Sequence, residues 1–470
     1  MSESKDDFDE NDELEIKALV DRFEQMLKTE DSVFFDAHEL EEIVEYYIDE
    51  NNHKQAYVVI DFALKQYPFA TFFMLRKAQL LSAANQTHEA LEILSQAERL
   101  EPASDELFMT KGGVYSQMGL TDQAIENYKK ALEFTEVPDE VYLNMAFEFE
   151  NTGKTEDAIY YLKKAIQENP ENEAALYELA FCYEITNKSE NAVNYYTGFL
   201  DKNPYSKTAW FNLGVAYNRL KLYEKALLAY DYAITIDDKF ASAYFNKANA
   251  LANLERYDEA IETYKETFLY ELHDALAYYY IAECYEKKEA YDQALIFYNK
   301  ASKTDPQLAD AWLGIGISLD SLGRAAEGVH YIKKAIDLQP ENGIFWYVYG
   351  DIQSKLGFNE EAGTAYEKVT ELEPENKEIW LDYANLLDSQ SDKTGALEVL
   401  AEGVKHHPDN AELLYRISAC LFSAGQNQEA LSFLHNALGL DYEKHIDLFE
   451  YMPQLKDNST VIDLIESYKK

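Results

Sequence analysis

The chain has 470 residues, 47% of them hydrophobic and 27% charged, which is ample material for a large core. Its 87 Asp and Glu against 42 Lys and Arg leave a formal net charge of -45. That balance argues against nucleic acid or anionic lipid as a target, since both need a basic footprint, and it favours basic partners.

The opening residues, MSESKDDFDENDELE, are acidic where a signal peptide needs a basic end and an apolar run, so export by the usual route is not expected. Residues 1–13 read as a disordered acidic tail. Leu14, Leu19, Phe23, Met26 and Leu27 then recur at helical spacing, so residues 14–36 read as a capping helix. No apolar stretch reaches the roughly 18 residues of a membrane helix, and no membrane contact is expected. Cys182, Cys284 and Cys420 are too few and scattered for a disulfide framework, which suits a reducing cytoplasm.

From residue 37 to residue 444 one pattern repeats every 34 residues, twelve times, without insertion or deletion. One column reads Ala56, Ala90, Ala124, Ala158, Ala192, Ala226, Ala260, Ala294, Gly328, Ala362, Ala396 and Ala430. A second, through Gly214, is small in eleven of twelve repeats, with Val44 the exception, and eight of the ten prolines share a third. Apolar residues recur at three and four residue steps, as in Trp210, Leu213 and Tyr217, then Tyr223, Ala226, Tyr230 and Ala233, which predicts two helices per repeat. Gly or Asn between them, as at Asn51, Gly119 and Gly357, suits a left-handed helix stop, and the proline column ends the second helix. Small side chains let the two helices approach closely. A single pair cannot bury its apolar stripe alone, so the pairs must stack.

The columns Trp210, Leu213, Gly214, Tyr217, Ala226, Tyr230 and Ala233, followed in other repeats by Pro170 or Pro306, resemble the tetratricopeptide repeat. The resemblance implies an all-α, right-handed α-solenoid superhelix whose first helices line a concave groove. Asp238 and Leu272 stand where the proline is expected. Beyond the repeats, residues 445–470 read as C-terminal capping helices broken at Pro453, the last entered through Ser459 or Thr460 with Ile462, Ile465 and Tyr468 inward.

If that geometry holds, repeat positions 2, 5, 6, 9, 12 and 13 face the groove and carry eighteen acids against five bases. Some of the acids sit in first helical turns, where the helix dipole alone favours them. An aromatic column, Tyr177, Phe211, Phe245 and Tyr279, resumes at Tyr347 and Tyr415, with Asn144, Asn212 and Asn246 beside it as candidate readers of a peptide backbone. Aromatic faces next to carboxylates suit Lys or Arg side chains. These residues are also ordinary repeat consensus. The candidate binding residues are therefore Tyr177, Glu178, Glu184, Phe211 and Asn212, then Phe245, Asn246, Asn249, Tyr279, Tyr280, Glu283 and Glu286.

Catalysis finds no support: GxGxxG, GxxxxGK[ST], GxSxG and HExxH are all missing, and the segments outside the repeats are too short for a catalytic domain. No cofactor or metal is implied. His406 and His407 read as an exposed turn, and the three cysteines, which share one repeat position, as small packing residues. Relatives that grip a C-terminal carboxylate use Lys at positions 5 and 2, which no repeat here has, so that subclass is disfavoured. The expectation is a cytoplasmic, non-enzymatic scaffold that binds a protein or peptide, basic in character. A self-associating spacer and an accessory subunit of an enzyme encoded elsewhere stand beside it.

Overall fold

The structure, a computed structural model, describes residues 3–29, 33–270 and 274–469. Among them it contains helices and no strand. The chain divides into two units, residues 1–236 and 237–470, each built on six helix pairs.

In unit 1, α1 (Glu3–Thr29) precedes the pairs α2 (Ala37–Asp49) and α3 (His53–Gln66), α4 (Thr71–Ala83) and α5 (Thr87–Leu100), α6 (Asp105–Gln117) and α7 (Thr121–Ala131), α8 (Pro138–Asn151) and α9 (Thr155–Glu168), α10 (Glu173–Ile185) and α11 (Ser189–Leu200), and α12 (Lys207–Arg219) and α13 (Tyr223–Ile236). Unit 2 holds α14 (Ala241–Asn253) and α15 (Tyr257–Thr267), α16 (Ala275–Lys287) and α17 (Tyr291–Thr304), α18 (Ala309–Ser321) and α19 (Ala325–Leu338), α20 (Gly343–Leu356) and α21 (Asn359–Leu372), α22 (Lys377–Ser389) and α23 (Lys393–His406), and α24 (Ala411–Ser423) and α25 (Asn427–Leu440). It closes with α26 (His445–Tyr451), a 3-10 turn (Pro453–Asp457) and α27 (Ser459–Ser467).

All twelve members of the alanine column are buried, which lets paired helices meet backbone to backbone. Size is traded across the pair. A Cβ added to Gly214 would lie 2.5 Å from the Tyr230 ring, and Gly112 and Gly350 stand in the same relation to Tyr128 and Tyr366. The turn after each first helix is left-handed in every repeat, including four where the residue is neither Gly nor Asn: Lys221 (φ 58°), Glu255 (φ 60°), Glu289 (φ 57°) and Ser391 (φ 68°). The turn closes by hydrogen bonds from Lys221 N to the Asn218 carbonyl and from Leu222 N to the Tyr217 carbonyl, both 2.9 Å, so the helix-end carbonyls are satisfied. The proline column has a second use. Trp210, Trp312, Trp346 and Trp380 donate their indole N–H to the carbonyls of Pro204, Pro306, Pro340 and Pro374, at 2.8, 3.0, 2.8 and 3.1 Å. Leu272, one of the residues that replace the proline, lies outside the described residues.

Within unit 1, α4 touches α6 and α10 touches α12; within unit 2, α16 touches α18, α18 touches α20, and α22 touches α24. Successive second helices of the pairs come no closer than marginal contact, so the first helices form the inner layer of each unit.

The ends depart from expectation in detail. One helix covers Glu3–Thr29, so the break expected between a disordered tail and a capping helix at residue 13 is not seen. Acidic residues favour the start of a helix through its dipole, and Glu is a good helix former. Val20, Phe23 and Met26 are buried, whereas Leu27 is exposed. At the other end Asn458, not Ser459 or Thr460, caps α27, accepting from Thr460 N and Val461 N. Its buried side chains are therefore Val461 and Ile465 rather than Ile462.

Candidate functional site

The inner layer carries most of the expected binding residues, and each unit is described by itself. In unit 1, Tyr177 on α10 and Phe211 on α12 meet edge to face with ring centroids 6.2 Å apart. Glu184 pairs with Arg219 across the same two helices, and Glu178 is half-buried beside them. Asn212 corrects the sequence reading. It is 3% exposed and donates to the Leu176 carbonyl at 2.9 Å, with the Tyr196 hydroxyl at 3.4 Å, so it ties two first helices together and cannot reach a ligand. Asn144 likewise donates back to its own helix, at the Glu140 carbonyl.

Sequence reasoning missed two residues here. Phe181 and Ile185, at repeat positions 9 and 13, are each 51% exposed on α10. Positions 9 and 13 were expected to face the groove, and recurrence every four residues with Tyr177 is the further signal that could have singled these two out.

In unit 2, Phe245 and Tyr280 meet at 5.7 Å, and Tyr264 stacks nearly parallel to Tyr280 at 6.0 Å. A cleft of about 250 Å³ opens beside them, lined by Asn249, Tyr264, Tyr280, Glu283, Cys284 and Lys287 among others. A second, of about 210 Å³, is lined by Ser242, Phe245, Asn246 and Leu276 among others. The Asn249 side-chain Oδ1 accepts from the Tyr264 hydroxyl, and Asn246 donates to the backbone carbonyl of Ser242 on its own helix at 2.9 Å. One amide hydrogen of Asn246 is thereby held within α14, which weakens its expected role as a backbone reader.

The acids of this layer have unusual partners. Glu283 accepts from the Tyr279 hydroxyl at 2.9 Å, Glu286 from Tyr298 at 2.8 Å, Asp351 from Tyr366 at 2.6 Å, and Asp382 from Tyr347. Burial raises the Glu283 carboxyl above the usual carboxylate range; the fields of Glu286 and Asp310 add to this, while the Tyr279 bond and Lys287 oppose it. Asp351 is raised in the same way, by desolvation and by the charge of Asp382, against its Tyr366 bond. Four of the five bases expected on the inner face are already paired: Arg76 with Glu45 and Glu106, Arg219 with Glu184, Lys355 with Asp320, and Arg416 with Asp388.

Tyr415 does not continue an open aromatic column. It is fully buried and donates to the Asp441 carbonyl at 2.8 Å, while the adjacent Arg416 lies 4.4 Å over the Tyr451 ring of α26. The chain's own C-terminal segment covers α24. His407 is buried rather than exposed, with Nε2 3.0 Å from the Pro374 carbonyl, and His406 stacks on Trp380. Cys182 and Cys284 are buried, and burial pushes the Cys284 thiol up to about 12, so neither is poised to react.

Family models of the tetratricopeptide repeat match residues 105–137 and 309–342, 152–190, and 186–243 with 245–309. The model for the TPR domain of cytochrome c-type biogenesis protein H matches residues 332–440. The chain belongs to the tetratricopeptide repeat family. No curated protein matches it. Among solved structures it is similar to MamA, at 20% identity and a TM-score of 0.33, over 35% of this chain and 95% of that one. It is similar to YrrB, titled a TPR protein with an unusual peptide-binding site, at 19% identity and 0.34, over 42% and 97%. It is similar also to the Cut9–Hcn1 hetero-tetramer of the APC/C, at 13% identity and 0.41, over 90% and 95%. As a TPR protein the chain is a protein-protein interaction scaffold, and within each unit the first helices form its inner layer.

Proposed function

We propose that this TPR scaffold is non-enzymatic and captures a basic segment of a partner protein on the inner face of unit 2, at Phe245, Tyr279, Tyr280, Glu283 and Glu286. The observation that carries the reading is the choice of partners for its carboxylates. Glu283, Glu286, Asp351 and Asp382 each accept from a tyrosine hydroxyl. A carboxylate has about four acceptor sites, so one phenol orients it and leaves its charge in place for an incoming Lys or Arg. The aromatic faces of Phe245 and Tyr280 beside it add cation-π attraction. A paired Arg or Lys in the same place would have cancelled that field.

The test is capture from native cell extract by wild type and by an E283Q/E286Q/D382N variant, at low and high salt. The reading expects a salt-sensitive partner that the variant loses while its helicity by circular dichroism is kept. Equal capture by the variant sinks it. A reducing cytoplasm is the matching location, supported by three free cysteines; recovery of the chain in an exported fraction would count against it.

A further inference from the structure

Unit 1 presents a different chemistry on its inner face. Tyr177, Phe181 and Ile185 form a stripe along α10, 38%, 51% and 51% exposed. They span about 12 Å at 1.5 Å rise per residue. Acids flank the stripe: Glu178 on α10 itself, Glu184 at its end, and Glu150 on α8, which accepts from the Cys182 thiol at 3.2 Å. Arg219 answers Glu184 only.

We infer that this face docks a preformed amphipathic helix of a partner, apolar along one side and flanked by Lys or Arg. The inference rests on the reading that the chain is a binding scaffold, and it concerns a surface separate from the acidic face of unit 2.

Three observations select a helix. First, an extended peptide must find partners for its own amides, and beside this stripe Asn212 is buried and committed to the Leu176 carbonyl while Asn144 donates to Glu140. A helix arrives with its backbone bonds already made. Second, apolar side chains three and four residues apart on an incoming helix match a stripe spaced every four residues on α10. Third, the protein shows a helix seated on this kind of surface. In unit 2, α26 lies on α24, burying Leu448, with Tyr451 against Arg416. Charge decides the sign of the partner: the acidic rim favours a basic helix and repels an acidic one.

The experiment uses the full chain and a panel of three labelled 18-residue peptides, amphipathic and Leu-rich on one face with Lys and Arg beside it, differing in apolar register. Each is paired with a version of the same composition in which two central residues are exchanged for Pro brought from the ends, so that it cannot be helical. Fluorescence anisotropy should show at least one helical peptide binding tenfold or more tighter than its Pro partner. Assayed in an E283Q/E286Q background, so that the acidic face of unit 2 does not compete for a basic peptide, F181S/I185S should lose that binding at least tenfold with helicity kept. Equal affinity for helical and Pro forms overturns the inference in favour of an extended ligand. Binding unaffected by F181S/I185S, or no binding by any of the three, overturns it as well. Failure of the unit 2 reading would appear in the E283Q/E286Q/D382N capture experiment alone.

Discussion

The hydroxyl of Tyr298 donates to the carboxylate of Glu286 at 2.8 Å, although Tyr298 itself is only 2% exposed. Sixty-eight residues earlier, two repeats back in the same column, Tyr230 is fully buried and its hydroxyl has no hydrogen-bond partner. The two phenols therefore make opposite predictions. Y298F should destabilise the fold by about 2 kcal/mol, the range for a bond to a charged group, whereas Y230F should be neutral or slightly stabilising. Urea unfolding monitored by circular dichroism separates them; equal losses would show that the hydroxyls are not what distinguishes the two sites.

A raised carboxyl is a liability to the fold. Glu283 takes up its proton more readily folded than unfolded, so its unfavourable contribution is absent below the usual carboxylate range and fully present once pH exceeds its raised folded value. E283Q should thus stabilise the protein at neutral pH while weakening capture of a basic partner. On acidification, wild-type capture should begin to fail above the range where ordinary carboxylates titrate. Thermal melts and binding measured across pH on both proteins check this, and a destabilised E283Q would contradict it.

The left-handed turns at Lys221, Glu255 and Glu289 place a Cβ where it crowds the backbone, at about 1 kcal/mol each. Replacing any one by Gly should raise stability by a few tenths to about 1 kcal/mol, the greater freedom of Gly in the unfolded chain offsetting part of the gain. A denaturation midpoint that falls in all three variants would refute the strain.

Burial raises the Tyr196 and Tyr264 hydroxyls, with most of the other tyrosines in their column. In the unfolded chain these groups lose protons near pH 10. Folded, they keep them to higher pH, so the folded state binds more protons and stability must fall as pH rises through and above about 10. The last share of the phenolate absorbance, that of this buried column, should therefore appear together with loss of helicity; complete phenolate formation in a fully helical protein would argue that the column is open to water.

Much of the fold was legible because a fixed period samples each environment twelve times. One alanine says little, but Ala56 through Ala430 in register could only be a helix contact. The binding residues were less legible, since a column records what repeats share and recognition depends on what one repeat does differently. Asn212 looked like Asn246 in sequence, yet a neighbouring tyrosine and a carbonyl enclose the first, while the second stays partly exposed. Phe181 and Ile185 escaped notice for the opposite reason: apolar side chains at helical spacing ordinarily mean core. The burial of Tyr415 depended on the path of α26, which lies outside the period.

The indole-to-proline bonds have one more consequence. Each tryptophan reaches back across the boundary between its own repeat and the one before, so light emitted by Trp210 reports a junction in unit 1, and light from Trp312, Trp346 and Trp380 reports three in unit 2. Repeat arrays can come apart piecemeal. Nature has thus wired this molecule with its own optical gauges, and keeping one indole at a time would show where along the array unravelling begins.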